Sequence, residues 1–202
     1  MTRHAARAIM GKTTGPAAMP LPHALAAIDA ANAADPNLEA GKPAALLYGQ
    51  RMSAELARLV PDASDILQIA ARGQHIERWQ VPRSDYPEGR EGYLSWRRDL
   101  ARRHAARVAG IMAAVGYGEA DQDRVGVLLR KEGIKRDPEV QALEDVICFT
   151  FLRHYFAAFA AKHPADDIQR IVEKTARKMS ADARARALQE FPMPAALAAA
   201  FG

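Results

Sequence analysis

The stretch PEVQALEDVICFTFLRHYFAAFAAK, residues 138–162, constrains the fold more than any other part of the sequence. It opens with a strong helix-start signal, in which Asp137 is the cap, Pro138 the first helical residue and Glu139 an acid in the first turn. The residues that follow are apolar on nearly every side, and a helix without a polar face needs other elements around it. We therefore predict that this segment is the central helix of a bundle.

The rest of the chain also favours helices over strands. Alanine is abundant, and aromatic residues make up only 6% of the 202 residues, whereas strands are rich in aromatic and β-branched side chains. No strand pattern or internal repeat stands out, and a chain of this length is most simply one domain. We predict an all-α, single-domain helical bundle over residues 21–202. Its other helices are expected at about 23–34, 43–60, 62–78, 92–115, 120–132, 165–179 and 181–190, with a loop at 80–91.

The positive charge of the chain is concentrated at its beginning. Residues 1–20 contain Arg3, Arg7 and Lys12 and no acid, so they account for three of the four net positive charges. We predict that residues 1–20 form a disordered basic tail, and the near-neutral remainder does not support general binding to nucleic acid. The tail lacks the apolar core of a signal peptide.

The lone cysteine, Cys148, excludes an internal disulfide and a cysteine-based zinc site. A single cysteine is typical of a reducing compartment, and we expect a cytoplasmic protein. No apolar run reaches the roughly 18 residues that a membrane-spanning helix needs, so we expect no contact with a membrane. The sequence does not indicate an oligomeric state.

Polar residues on otherwise apolar helix faces indicate a site inside the bundle. His75 follows Leu67 and Ala71 at helical spacing, and His104 lies in the middle of an apolar stripe on the long helix. Glu132 aligns with Val125 and Leu128, and Asp145 with Phe149 and Leu152. Unpaired buried carboxylates are costly, so these groups need a metal, a base or each other. The metal-ligand set that we predict, suited to Mn, Fe, Ni, Zn or Mg, is His75, His104, Glu132 and Asp145.

A structural explanation of the same residues stays open. A single buried histidine is more often a hydrogen-bonded core residue than a ligand. Glu144 and Asp145 can instead be the buried partners of Arg78 or Arg97, which would perturb their pKa values without catalysis.

A second group of residues is basic and surrounds the 80–91 loop. Guanidinium groups match the geometry of phosphate and carboxylate, and Trp79, Tyr86, Tyr93 and Trp96 can stack on a base. Long loops without regular structure are often functional. The alternative is a rigid surface loop that arginine–acid and arginine–aromatic contacts hold in place. The residues that we predict to bind a phosphorylated substrate are Arg78, Arg83, Arg90, Arg97, Lys131 and Lys135.

Long segments of the sequence resemble a bacterial and fungal family known as domain of unknown function 4202. The resemblance extends from Leu21 to about Pro194. The segments that support it are AAIDAANAADPN, LLYGQRMS, QHIERWQVPRSDYPEGREGYLSWR and KEGIKRDPEVQALEDV.

The order of features is also similar to that of the HD-domain metal phosphohydrolases. IAARGQHIERW resembles the stretch that leads into their His-Asp pair, RRHAARVAGIM their later histidine, and LEDV their late aspartate. This resemblance implies an HD-like fold with His75, His104 and Asp145 at a divalent metal. We predict that Gln74 and Glu144 lie beside these ligands and orient them. The chain departs from the pattern in two places. Gln74-His75 or His75-Ile76 replaces the His-Asp doublet, and Arg51-Met52 lies where the first histidine is expected.

Two functional hypotheses follow. In the first, the metal activates a water molecule for hydrolysis of a nucleotide or another small phosphorylated compound, which the arginines bind. In the second, the protein is a non-catalytic binding module whose Arg/Trp/Tyr-rich loop recognises a nucleotide, an RNA end or a protein partner. Walker, GxGxxG, GxSxG and HExxH motifs are absent, and no organic cofactor is indicated.

Overall fold

The computed structural model describes residues 20–202, and almost all of its regular structure is helical. The predicted disorder of residues 1–20 concerns residues that lie, all but Pro20, outside the described part. The helices of the described part are α1 (Pro20–Asn32), α2 (Ala44–Leu59), α3 (Asp65–Gly73), α4 (Gly89–Ala114), α5 (Glu119–Arg130), α6 (Pro138–His154), α7 (Phe156–Ala160), α8 (Ala165–Lys178), α9 (Ala181–Glu190) and α10 (Ala195–Ala198). Short 3-10 turns lie at Arg78–Gln80, Arg83–Asp85 and Ala199–Phe201. The prediction of an all-α protein is confirmed.

Local side-chain signals set several helix starts, and the sequence predicts the one at Asp137. Asp137 accepts hydrogen bonds from the backbone N–H groups of Glu139 and Val140, at 3.0 and 3.2 Å, and thereby caps α6. Ser64 caps α3 through a bond from the N–H of Leu67. These bonds satisfy donors that the first turn of a helix leaves without a partner.

Two predicted helices are longer than those observed. α3 ends at Gly73, whereas the sequence predicts a helix that continues to Arg78. Gly73 lies against α4, where a Cβ atom would come within 2.6 Å of Val108 Cγ2. The chain then turns, and Glu77 adopts a left-handed backbone with φ of 50°.

The predicted central helix is likewise divided. α6 ends at His154, because Tyr155 has φ of −124° and leaves the helical conformation. A continuous apolar run contains no residue that signals this boundary. The five-residue helix α7 follows.

The segment before α4 is more regular than the predicted loop at 80–91. It contains the turn Arg83–Asp85, and α4 begins at Gly89 rather than Gly92. A Cβ atom on Gly92 would lie 1.8 Å from the carbonyl oxygen of Pro87, so only glycine allows this close approach. A short hairpin precedes α2, and the sequence does not predict it. Its two antiparallel strands, of two residues each, are β1 (Leu38–Glu39) and β2 (Lys42–Pro43).

Most of the apolar core of residues 20–202 lies in two large clusters, and α6 contributes to both. A third, small cluster contains Val81, Trp96 and Leu100. Val140, Leu143 and Val146 from the first half of α6 pack in the core that α1 to α5 also form. Phe149 and Leu152 from its second half pack with residues of α8, α9 and the C-terminal turn. The prediction that this segment is central is therefore confirmed. Within residues 20–202, no helix has the length and hydropathy required to cross a bilayer.

Candidate functional site

A cleft of about 830 Å³ lies beside the second half of α6. The start of α2, the turns after α3, the first part of α4, and α8 form its other walls. A smaller cavity of about 270 Å³ lies next to it, against the middle of α4 and the end of α5. The side chains that line both spaces are Gln74, His75, Arg78, Arg97 and Lys131. We call these five residues the shared wall.

His75 is held on two sides. Its ring stacks on Tyr48, with centroids 4.0 Å apart and an angle of 20° between the planes. Its Nε2 atom lies 3.0 Å from Nη1 of Arg78. A guanidinium group can only donate, so Nε2 is the acceptor and the imidazole is neutral. Burial, Arg78 and His104 together hold the pKa of His75 well below its ordinary value.

Arg78 is fixed by an aromatic side chain as well as by His75. Its guanidinium lies over the ring of Trp96, 4.6 Å from the centroid. The indole Nε1 of Trp96 donates a 2.9 Å hydrogen bond to the carbonyl of Val81. Burial and the charge of Arg97 lower the pKa of Arg78. Arg78 is thus held in place without a carboxylate partner among the described residues.

Lys131 and Glu144 form the ion pair of the site. Lys131 Nζ lies 2.5 Å from one oxygen of Glu144, and Lys178 Nζ lies 3.5 Å from the other. Glu144 is 1% exposed. Lys131 directly follows α5 in a left-handed conformation with φ of 60°, which turns its side chain toward α6. The structural alternative considered from the sequence pairs Glu144 with Arg78 or Arg97, and its observed partners are the two lysines instead.

Arg97 is the cation of the shared wall that lacks a partner. The side chain is half-buried, and among residues 20–202 it makes neither a hydrogen bond nor an ion pair. It nevertheless lies close enough to influence the pKa of His75, Arg78 and Lys131. A half-buried guanidinium without a counter-charge is unfavourable in the unliganded protein, and an anion would relieve this.

The pKa shifts around the shared wall indicate an excess of positive charge. Burial is the largest cause of the lowered pKa of Lys131, which Arg97 and Lys178 also lower. Burial alone would raise the pKa of Glu144, but Lys131 and Lys178 hold it below its ordinary value. The one carboxylate thus faces two lysines, and Arg97 adds a third positive charge near Lys131.

The other acidic residues that line the cleft, Asp35 and Glu39, are already engaged. Both oxygens of Asp35 accept backbone N–H groups, from Asn37 and Ala45, each at 2.9 Å. Glu39 pairs with Arg51, which also donates a 2.9 Å hydrogen bond to the hydroxyl of Tyr155. These carboxylates therefore leave the charge of Arg97 uncompensated.

The structure brings together only part of the predicted metal-ligand set. His75 and His104 are neighbours, with ring centroids 6.1 Å apart. Glu132 is exposed and pairs with Arg130 at 2.7 Å, so the prediction that it faces the interior is wrong. Asp145 accepts a 2.8 Å hydrogen bond from the N–H of Ser180 and thus supports the start of α9. Within the described chain, no three His, Cys, Asp or Glu side chains are grouped so that they could hold a metal ion.

The failure of Glu132 to turn inward has a simple cause. The prediction extends the helical stripe of Val125 and Leu128 by one more turn. α5 ends at Arg130, however, and the left-handed Lys131 rotates every later side chain away from that stripe. The same rotation directs Lys131 into the site.

Three of the predicted substrate-binding residues lie away from the two cavities. Arg83 donates to the carbonyl oxygens of Tyr86 and Pro87, both at 2.8 Å, and so stabilises the turn before α4. Lys135 donates to the carbonyl of Met179 at 2.7 Å. Arg90 is exposed and lines neither cavity. Arg78, Arg97 and Lys131 are the members of the set that the fold brings together.

Sequence reasoning missed two residues of the cleft. Helical spacing places Tyr48 on one stripe with Met52 and Leu56, as an ordinary core residue would be, but its ring lies on His75 and its hydroxyl donates to Gln74 Oε1 at 2.9 Å. Lys178 comes from the end of α8, far along the chain from the other site residues. Nothing in the pattern of α8 distinguishes Lys178 from the other basic residues at its end.

A comparison with models of known families gives a match over nearly all of the described residues. The model of the family described as "Domain of unknown function (DUF4202)" matches residues 22–200. The chain belongs to this family. No curated protein and no solved structure matches it. The matched region includes every residue of the cleft and of the shared wall, so the site lies within the family domain.

Proposed function

We propose that the cleft binds a small phosphorylated molecule with a planar ring, such as a nucleotide. The observation that supports this most strongly is Arg97, a half-buried cation without a partner among the described residues, beside Arg78 and Lys131. A phosphate group has enough oxygen atoms to accept bonds from two guanidinium groups and an ammonium group at once. Binding would neutralise the excess positive charge of the shared wall.

The aromatic side chains of the cleft are the reason to propose a ligand with a planar ring. Trp79 and Tyr93 line the same cleft as Arg97, and Tyr93 is 44% exposed. Exposed aromatic rings next to cations provide a stacking surface for a base. The volume of about 830 Å³ falls within the range of roughly 300–1,000 Å³ that small-molecule sites occupy.

The sequence also predicts that the bound phosphate is hydrolysed, and this is a separate claim from binding. Hydrolysis requires a divalent ion, such as Mn, Fe, Ni, Zn or Mg, and a site of at least three ligands. His75 Nε2 is engaged by Arg78, and Glu132 and Asp145 are engaged elsewhere. The arrangement of side chains therefore favours binding over metal-dependent hydrolysis. HD-like phosphohydrolase activity stays a prediction that metal analysis of protein purified without chelators would test.

Calorimetric titration with adenosine 5′-monophosphate, adenosine and glucose 6-phosphate tests the binding proposal. We expect the nucleotide to bind more tightly than either compound that carries only one of its two features. In Arg97→Ala, we expect nucleotide affinity to fall about 10- to 100-fold, because a charged hydrogen bond is worth roughly 1.5–3 kcal/mol. Adenosine affinity should be unchanged.

Arg103→Ala is the matched control. Arg103 is an exposed arginine on the same helix and lines neither cavity. Its replacement changes the net charge equally but should leave nucleotide affinity within about twofold, because exposed charges interact weakly through water. Equal losses in the two variants, or no loss in Arg97→Ala, would contradict the proposed site.

A further inference from the structure

His104 has a hydrogen-bonding atom that the fold leaves unused. The side chain is 5% exposed and lies on α4, where it lines the smaller cavity. A hydrogen bond with the backbone of Gln74 favours the protonated ring, so the ring nitrogen involved is a donor to that carbonyl. The other nitrogen, Nε2, is buried without a partner. A buried polar atom left in this state costs roughly 1–3 kcal/mol, and a suitable ligand would recover it.

The chemical character of Nε2 follows from the charges around it. Burial, and then the cations Arg78 and Arg97, lower the pKa of His104 to about 4. The neighbouring ring of His75 is neutral as well. At neutral pH, Nε2 is therefore a hydrogen-bond acceptor, and its ligand must present a donor.

The arginines that line the smaller cavity favour a negatively charged ligand. Arg78 and Arg97 belong to the shared wall, and Arg98 lines this cavity but not the larger cleft. Arg98 is exposed and has no ion-pair partner among residues 20–202. The cavity thus combines several donors for an anion with one acceptor, and its volume of about 270 Å³ is suited to a small group.

We propose that the smaller cavity is a subsite for a phosphate group that retains one acidic hydrogen, which it donates to His104 Nε2 while Arg97 and Arg98 bind its other oxygens. The subsite deepens the proposed function, on which it rests through the shared wall. Sulfate and carboxylates carry no hydrogen at neutral pH, so their lone pairs would face the lone pair of Nε2. Phosphate loses its last hydrogen only near neutrality, with a pKa of about 6 in its monoesters. The subsite therefore selects phosphate over sulfate.

Titration of the full-length protein with inorganic phosphate and with sulfate, at pH 7 and matched ionic strength, tests this selectivity. We expect the wild type to prefer phosphate by roughly tenfold or more, the ratio that corresponds to one satisfied buried acceptor. His104→Leu should bring the two affinities to within about twofold and leave sulfate binding intact. His104→Gln, whose amide oxygen can accept, should restore part of the preference.

A second measurement does not depend on the variants being folded. Nitrogen NMR of the wild-type histidine rings should show the Nε2 resonance of His104 shifting with phosphate and not with sulfate. Phosphate added to protein saturated with adenosine 5′-monophosphate distinguishes the source of the group. Competition identifies the ligand's own phosphate, and additional binding identifies a free phosphate beside it.

Failure of the subsite and failure of the proposed function give different results. Equal binding of phosphate and sulfate by the wild type, or an unchanged preference in His104→Leu, would overturn the subsite. Nucleotide binding that still depends on Arg97 would then leave the proposed function standing. Absence of both phosphate and nucleotide binding would overturn the proposed function and the subsite with it.

Discussion

Replacement of Glu144 by glutamine should lower the stability of the protein and raise its affinity for anions. The substitution keeps the shape of the side chain and removes the charge that faces Lys131 at 2.5 Å and Lys178 at 3.5 Å. Loss of one partner of a buried ion pair costs roughly 3–5 kcal/mol. Lys131 is 22% and Lys178 53% exposed at the side chain, so water would compensate part of the loss. We expect Glu144→Gln to lower the free energy of unfolding by about 2–3 kcal/mol.

The same substitution should strengthen the binding of phosphate compounds. Removal of one negative charge roughly 8 Å from a bound phosphate, at an effective dielectric constant of about 40, is worth about 1 kcal/mol for each ligand charge. The phosphate of adenosine 5′-monophosphate carries one to two negative charges, so affinity for this nucleotide should then rise about 5- to 30-fold. Urea denaturation at pH 7 measures the stability, and calorimetric titration measures the affinity.

Glu132→Gln is the matched control for both measurements. Glu132 is 53% exposed at the side chain and pairs with Arg130 at the surface. Its replacement should change stability by no more than about 0.5 kcal/mol and leave affinity unchanged. A destabilised Glu144→Gln that binds the nucleotide more weakly than the wild type would refute the argument that the site has an excess of positive charge.

Two further predictions concern stability. His104 has a folded-state pKa of about 4 against an ordinary value of 6.5, so the unfolded chain binds a proton first and stability falls as the pH drops from 6.5 towards 4. The loss of unfolding free energy attributable to His104 is roughly 2–4 kcal/mol. Urea denaturation of His104→Leu between pH 6.5 and pH 4 should therefore show a weaker dependence of stability on pH than the wild type does. An equal dependence in both proteins would contradict the burial of a neutral ring. Asp137→Ala removes the cap of α6 and should cost about 1–2 kcal/mol, measured by urea denaturation, whereas an unchanged midpoint would mean that the cap is not needed.

Most of the helical organisation could be predicted from the sequence because its boundaries have local chemical signals. Asp137-Pro138 and Ser64 mark helix starts through side chains that cap the backbone. The break at Tyr155 and the early end of α3 at Gly73 have no such signal. Both depend on contacts with distant segments, such as the close packing of Gly73 against Val108.

The candidate site was predictable in part for the same reason. Periodicity identifies His104, whose helix is long and regular, and it fails for Glu132, whose helix has already ended. It also selects Asp145 as an interior ligand, although Asp145 supports α9 and its neighbour Glu144 faces the cations. Lys178 enters the site through tertiary packing, which helical spacing does not encode.

A crystal structure of the protein grown with adenosine 5′-monophosphate tests the central claim most directly. We expect the phosphate of the nucleotide to lie within hydrogen-bonding distance of Arg97 and Arg78, with its base against the aromatic rings that line the cleft. A phosphate bound elsewhere on the surface, or an empty cleft at a concentration that saturates binding in solution, would contradict the claim that the shared wall is an anion-binding site.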